Sequence, residues 1–89
     1  MKAVVTVVGK DQVGIIAAVC TLLASYNVNV LDISQTVMQG YFTMMMVVEV
    51  SACNIPLDQL SVLMEEAGKE KNLSIRVQRE DIFEAMHRI

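Results

Sequence analysis

The chain has 89 residues, of which 54% are hydrophobic, and seven Lys and Arg against ten Asp and Glu give a net charge of −3. This length allows one domain, so we expect residues 1–89 to share a single core. The acidic balance and the lack of any basic run argue against nucleic acid or an anionic membrane as a partner. The apolar stretches are far shorter than the roughly 20 residues of a membrane span, and the N-terminus has no signal-peptide pattern. Cys20 and Cys53 are isolated, which indicates reduced thiols and a cytoplasmic protein.

The apolar content is high for a chain of this size. A domain this small buries only about 60 to 65% of the surface that its unfolded chain exposes. Many of the apolar residues must therefore lie on the surface, where a second copy of the chain can cover them. We expect a homo-oligomer, most simply a homodimer.

The first 26 residues predict a strand followed by a helix. Met1 to Val8 is almost entirely apolar, which predicts a central strand covered on both faces, and Gly9 would end it. Asp11 is suited to cap the helix that follows, and Gly14 would occupy the first turn of that helix. The apolar face of the helix comprises Ile15, Val19, Leu22 and Tyr26, with Ile16 and Leu23 beside it.

The second strand, Val28 to Met38, has a break in its alternation of apolar residues. Val28 and Val30 share one face, whereas the other face carries Leu31, Ile33 and Val37. A switch of this kind predicts a β-bulge, which is common on edge strands. The Gln39-Gly40 turn then leads into a third strand, Tyr41 to Ser51, whose inward residues are Phe42, Met44, Met46, Val48 and Val50.

The second half repeats the order of helix and strand. Asn54-Ile55-Pro56 begins a second helix that Asn72 can end, and its buried stripe comprises Leu57, Leu60, Leu63, Met64 and Ala67. Leu73 to Arg79 forms the fourth strand, in which the inward residues are Leu73, Ile75 and Val77. Asp81 and Glu84 resemble a capping box that would open a short C-terminal helix through Ile82, Phe83, Met86 and Ile89.

The order β-α-β-β-α-β predicts an α+β fold. Its expected form is the ferredoxin-like sandwich, a four-stranded antiparallel sheet with two helices on one face, here followed by the short C-terminal helix.

Catalytic signatures are weak throughout the chain. The only His is His87, and no Ser-His-Asp or Cys-His set can be assembled around it. The acidic residues lack metal-ligand spacing, and Gly9-Lys10 lacks the residues of a phosphate-binding P-loop. We therefore expect no enzymatic activity, no metal and no cofactor. An acylphosphatase-like enzyme is the remaining catalytic alternative, but its first loop needs an Arg, where this chain has Lys10 beside an unfavourable Asp11.

The start of the first helix is the candidate site for a small molecule. Gly14 lacks a side chain, at a cost of about 0.5 to 1 kcal/mol relative to Ala within a helix, and so lets a ligand approach the helix N-terminus. The free N–H groups there favour a carboxylate. Asp11 could accept an ammonium group and the amide of Asn29 could serve either group, which suits an amino acid. The structural alternative is that Asp11 only caps the helix, Gly14 only permits tight packing and Asn29 only bonds to backbone.

The same residues carry a resemblance to a known family. The pattern of a strand, then Gly9-x-Asp11-x-x-Gly14-Ile15, then Leu22 and Val28-Asn29-Val30, resembles the ACT domain, a regulatory amino-acid-binding module of many metabolic enzymes. The opening residues 1–11, the segments 32–36 and 41–45, and the ending Phe83-Glu84-Ala85-Met86 are similar to small stand-alone ACT proteins of bacteria and archaea, which are related to glycine-cleavage regulators.

The resemblance implies binding rather than catalysis. In the ACT domains of serine-sensing dehydrogenases, two copies pair through their second strands, and the ligand lies between the first loop of one copy and the second strand of the other. Carried over to this chain, the resemblance implies an amino-acid ligand in a homodimer, held by Asp11, Gly14, Ile15 and Asn29. The His of the serine-binding loops falls on Gly9, so serine itself is not implied. The alternative is a dimerisation module or an adaptor that binds a client enzyme or regulator without a ligand.

Overall fold

The computed structural model describes residues 1–10 and 12–81. Its elements are β1 (Lys2–Lys10), α1 (Ile15–Ser25), β2 (Asn29–Met38), β3 (Tyr41–Glu49), α2 (Leu57–Glu70) and β4 (Leu73–Arg79). The strands form one antiparallel sheet with the spatial order β2-β3-β1-β4. The predicted ferredoxin-like α+β fold is confirmed. The predicted C-terminal helix falls on residues 82–89, which lie outside the described residues.

Both helices pack on the same face of the sheet. Each connects two parallel strands that are separated by one strand, and right-handed crossovers of this kind bring both helices to one side. The strand residues buried beneath them alternate along the chain, as predicted for β3 and β4: Ala3, Val5, Val7, Phe42, Met44, Met46, Val48, Leu73, Ile75 and Val77. This face of the sheet and the two helices enclose the core.

The buried stripes of the helices differ in part from the predicted ones. In α1 the buried residues are Ile15, Val19 and Leu23, whereas Leu22 and Tyr26 are only partly buried. In α2 they are Leu60, Met64 and Gly68. Both stripes advance by four residues, because a row of side chains spaced by four lies nearly along the helix axis and packs as one ridge.

β1 is central, as predicted, but the expectation that both of its faces are covered is only partly correct. Both helices lie on one side, and on the opposite side Val8 is 42% exposed. Gly9 also does not end the strand, because it pairs with Phe42 and with Leu73. A Cβ at Gly9 would lie 2.5 Å from Cδ2 of Leu73 and 3.1 Å from the carbonyl oxygen of Asn72. A side chain at position 9 would therefore crowd the start of β4.

The irregular features of β2 follow the sequence prediction. The pairing with β3 shifts between Val30 and Asp32, so a β-bulge lies where the apolar alternation changes face. Val30 pairs with Val48 and Ile33 pairs with Met46, and both partners belong to the helix-facing side. The turn to β3 is formed by Gln39 and Gly40, with φ angles of 52° and 81°, as expected of a two-residue hairpin loop.

The start of α1 corrects the prediction. Gly14, not Asp11, occupies the N-cap position, and the helix begins at Ile15 rather than before Gly14. Gly14 has φ 85° and ψ 10°, the left-handed conformation that a residue with a Cβ rarely adopts. Its carbonyl accepts the first helical hydrogen bond, from Ala18 N at 2.9 Å. Asp11 itself lies outside the described residues.

Candidate functional site

The N-terminus of α1 begins at a glycine. Among residues 1–10 and 12–81, no side chain makes a cap hydrogen bond to this helix end, and the first turn contains no acidic residue. The first N–H groups of a helix have no partner within the helix. This helix end therefore carries donors and the positive end of the helix dipole with no neutralising group in its own first turn.

A cavity of about 280 Å³ opens at this helix end. Gly14, Ile15, Ile16 and Ala17 line it from α1, and the walls on the sheet side are Gln35, Val37 and Phe42. The cavity thus joins the helix N-terminus to the outer strand β2. Two of the predicted site residues, Gly14 and Ile15, lie together in it.

Gln12 also lines this cavity and fixes the loop that precedes α1. Its amide Nε2 donates a hydrogen bond of 3.0 Å to the carbonyl oxygen of Lys71. Lys71 caps the C-terminus of α2. The loop is therefore tied to the turn between α2 and β4.

Asn29 lies at the opposite end of the sheet from Gly14. It begins β2 and pairs with Glu49, whereas the end of β2, Met38, pairs with Tyr41 in the same row as Lys10. At roughly 3.3 Å per residue, the two ends of β2 are about 30 Å apart. Within one chain, Asn29 does not contact the cavity at the start of α1.

β2 is an edge strand with little cover. Apart from the half-buried Val30, all of its residues are exposed, including the apolar Ile33 at 40% and Val37 at 54%. The apolar Leu31 and Met38 are exposed as well. An edge strand with exposed apolar residues offers unpaired backbone groups and an apolar surface to another strand.

The side chains that line the cavity are amide or apolar groups. No cluster of three or more His, Cys, Asp or Glu that could hold a metal occurs in residues 1–10 and 12–81. Cys20 and Cys53 are free and partly buried. None of the helices within these ranges has both the length and the apolar character needed to traverse a bilayer.

A charged cluster at the far end of the sheet involves Glu49. Its Oε2 accepts a hydrogen bond from the N-terminal amine of Met1 at 2.7 Å, and it accepts two more from the hydroxyl and the N–H of Ser51. The amine and Ser51 lower the pKa of the Glu49 carboxyl from 4.5 to about 2. The cluster ties the N-terminus to β3 and lies away from the cavity.

Sequence reasoning did not assign Gln35 to the candidate site, although Gln35 lines the cavity. Gln35 pairs with the buried Met44, so it lies on the helix-facing side of β2, between Ile33 and Val37. A polar residue that interrupts an apolar alternation was the available signal. Gln12 precedes Gly14 by two residues, so its place near this helix end is local, but its contact with Lys71 spans 59 positions and no local pattern predicts it.

Comparisons with known proteins agree on one family. A model of the ACT domain matches residues 2–78. A UPF0237 protein from Clostridium acetobutylicum is 48% identical over 89 residues, which cover 100% of both chains. The structure of an ACT domain protein from Streptococcus pneumoniae is 45% identical, covers 94% of each chain and has a TM-score of 0.83. A putative glycine cleavage system transcriptional repressor shares the fold, with a TM-score of 0.72 at 22% identity over 86% of this chain and 44% of its own.

Proposed function

The chain belongs to the ACT-domain family, and from this premise we propose that it is a non-enzymatic, cytoplasmic regulatory module that binds an amino acid at the interface of a homodimer. The ACT domain is a regulatory ligand-binding fold. The observation that carries the proposal is the start of α1 at the N-cap glycine Gly14, which opens onto a cavity beside the free edge of β2.

The groups around this cavity suit the two ends of an amino acid. A carboxylate would accept hydrogen bonds from the N–H groups that begin α1, starting at Ile15, and would interact with the positive end of the helix dipole. Asp11 would bind the ammonium group. The side-chain amides of Gln12 and Gln35 supply further donors and acceptors, and Val37 and Phe42 offer an apolar wall to the ligand side chain.

Antiparallel pairing of two β2 strands would bring Asn29 to this cavity from the second copy. β2 has ten residues, so a two-fold axis between Ile33 and Ser34 pairs Asn29 of one copy with Met38 of the other. Met38 shares a row with Lys10, the last residue of β1 before the loop. A dimer of this kind would place the Asn29 end of one β2 beside the Met38 end of the other, although Asn29 lies far from Gly14 in its own chain.

The same pairing would cover the exposed apolar residues of β2. Ile33 and Val37 are about half exposed in a single chain, and burying such side chains is the main favourable term in protein association. The free edge strand would also gain backbone hydrogen bonds. The dimer thus completes the ligand site and covers the apolar surface of β2.

A thermal-shift screen of the purified protein against the common amino acids tests the proposal. A ligand at 100 times its Kd stabilises the folded protein by about 2.7 kcal/mol, which raises the Tm of a domain of this size by roughly 10 °C or more. We expect one amino acid to produce such a rise. A flat panel at millimolar concentrations would count against an amino-acid ligand.

Variants then locate the site. Asp11→Ala combined with Asn29→Ala should abolish the response while the protein stays dimeric, and Gln35→Ala should weaken it. Gln59→Ala is the matched control, because Gln59 is an exposed glutamine on α2 that does not line the cavity. An unchanged response in the Asp11 and Asn29 double variant would place the ligand elsewhere.

The second candidate function is an adaptor that binds a client enzyme or regulator without a ligand. The exposed apolar edge of β2 favours it, because a client strand could cover Ile33 and Val37 as well as a second copy could. A flat amino-acid panel together with a client that is captured by the wild type and lost with Val37→Lys would support this alternative.

A further inference from the structure

Gln35 interrupts the apolar character of the helix-facing side of the sheet. On β1, β2 and β3 this side comprises Ala3, Val5, Val7, Gly9, Val30, Ile33, Gln35, Val37, Phe42, Met44, Met46 and Val48. Gln35 is the only polar side chain in this set. An apolar side chain at this position would continue the row formed by Ile33 and Val37 and would gain more from contact with the core. Packing alone therefore does not account for a glutamine here.

The amide of Gln35 is available to a ligand. Gln35 lines the cavity at the start of α1 together with Gln12. The amide of Gln12 already donates a hydrogen bond to the carbonyl oxygen of Lys71. Within residues 1–10 and 12–81, no group forms a hydrogen bond with the side chain of Gln35. A glutamine amide has two N–H donors and an acceptor oxygen, so it can bind either a hydroxyl or another amide.

The cavity limits both the size and the charge of the molecule that it can hold. Its volume of about 280 Å³ is at the lower limit of small-molecule sites, which range from about 300 to 1,000 Å³. This volume suits a ligand of the size of one amino acid. None of the described residues that line the cavity has a charged side chain. A charged ligand side chain is disfavoured because no countercharge would compensate its loss of water.

The shape of the cavity places the two ends of an amino acid on different elements. The cavity extends from Gly14 and Ile15 on α1 to Gln35 and Val37 on β2. With the ligand carboxylate at the start of α1, the ligand side chain would extend towards β2. Val37 offers only apolar contact there, whereas Gln35, two residues and about 7 Å further along the strand, offers hydrogen bonds.

We propose that Gln35 determines which amino acids bind. It selects ligand side chains that end in a neutral hydrogen-bonding group, an amide or a hydroxyl, over aliphatic side chains of the same shape. The inference rests on the proposed function, because it concerns the ligand of the same cavity. An analogue that lacks the polar group leaves the protein amide without a partner and binds less tightly. We expect about tenfold discrimination, because Gln35 is exposed to water in a single chain and its loss of a partner is only partly penalised.

Pairs of amino acids with similar shape test the proposal by isothermal titration calorimetry on the whole chain. Threonine and valine, asparagine and leucine, and glutamine and methionine differ mainly in hydrogen bonding. In the pair that contains the tightest-binding amino acid, the polar member should bind about tenfold more tightly than the aliphatic member. Gln35→Met keeps the length of the side chain but removes its amide, and it should abolish or reverse this preference.

Two outcomes of the titrations would overturn the role of Gln35. The first is a wild type that binds the aliphatic member of that pair as tightly as the polar member, or more tightly. The second is a Gln35→Met protein that retains the wild-type ratio of affinities. Neither outcome would contradict an amino-acid ligand as such. A wild type that binds none of the common amino acids at millimolar concentrations would instead refute the proposed function, and the role of Gln35 with it.

Gln12→Met is the matched control, because it removes the other amide of the cavity. This variant should bind all ligands more weakly, since it loses the bond to Lys71, but it should keep the ratio between polar and aliphatic members. An equal loss of preference in Gln12→Met and Gln35→Met would overturn the assignment to Gln35.

A purely structural role for Gln35 makes different predictions. Gln35→Met should be at least as stable as the wild type in urea titrations, because it continues the apolar row of β2. A marked loss of stability would overturn the proposal. If Gln35 only protected the edge of β2 from association, Gln35→Met would form species larger than dimers in sedimentation and keep the wild-type ratio of affinities, which would also overturn it.

Discussion

Replacing Gly14 with alanine separates two physical accounts of the start of α1. If Gly14 lay in the first helical turn, as its position in the sequence suggests, Gly14→Ala would stabilise the protein by about 0.5 to 1 kcal/mol through helix propensity. The structure instead gives Gly14 a left-handed backbone, with φ 85°. We therefore expect Gly14→Ala to destabilise the protein.

The size of the effect follows from the backbone alone. A Cβ at Gly14 would meet no heavy atom within 4 Å, so no steric clash adds to the cost. The left-handed conformation costs an alanine roughly 1 to 2 kcal/mol, and the reduced freedom of the unfolded chain offsets less than this. We expect a net loss of about 1 kcal/mol in the free energy of unfolding, or a Tm lower by roughly 4 to 8 °C for a domain of this size.

Urea unfolding at one fixed protein concentration measures the effect, because the stability of a self-associating protein depends on concentration. Gly14→Asn is the first control and should lose less than Gly14→Ala, since asparagine tolerates positive φ. A chemically synthesised chain with D-alanine at position 14 is the second control, because a D-residue adopts positive φ without strain. This chain should be at least as stable as the wild type.

Two outcomes would refute this reasoning. A Gly14→Ala protein as stable as the wild type, or more stable, would mean that position 14 is helical in solution. Equal losses from L-alanine and D-alanine would mean that the added methyl group, rather than the backbone conformation, causes the loss.

Three further substitutions probe other parts of the fold. Gly68→Ala should lower the free energy of unfolding by about 1 to 3 kcal/mol in urea titrations despite its better helix propensity, because the added Cβ would lie 2.7 Å from a backbone oxygen at the start of β4. Glu49→Gln should lower the Tm at pH 7, and this difference in Tm from the wild type should diminish as the pH falls from 4.5 towards 2. The reason is that a carboxyl with a folded pKa depressed to about 2 stabilises the folded protein at pH values above its unfolded pKa. That stabilisation is lost as the pH falls through the folded pKa. Val37→Lys should shift the protein from dimer to monomer in analytical ultracentrifugation, because it places a charge on the exposed edge of β2.

For each of the three substitutions, one outcome would contradict the prediction. A stabilised Gly68→Ala would show that α2 can move away from β4 at little cost. For Glu49→Gln, a difference from the wild type that stays constant from pH 7 to pH 2 would contradict the depressed pKa. The control for Val37→Lys is Val62→Lys, because Val62 is an apolar residue on α2 that is 53% exposed. The Val62→Lys protein should stay dimeric. Monomers in both Lys variants would point to a general effect of charge, and dimers in both would rule out association through the β2 edge.

The helices, strands and inward-facing residues could be predicted well from the sequence because they depend on local periodicity. Alternating residues in β3 and β4 predicted their buried faces, and the change of alternation at Leu31 predicted the bulge in β2. Predictions were less accurate where backbone conformation or close packing decides the result. Gly9 continues β1 because the start of β4 packs against it, and Gly14 caps α1 because its φ is positive.

The sequence by itself determined the order of the elements, the core face of the sheet and the family, because these follow from periodicity and motif. Only the tertiary structure decided which residues share a site. It brings Gln35 to the start of α1 and puts Asn29 at the other end of the sheet. The reason is that strand order and register set these distances, through pairings between residues far apart in the chain that no local pattern encodes.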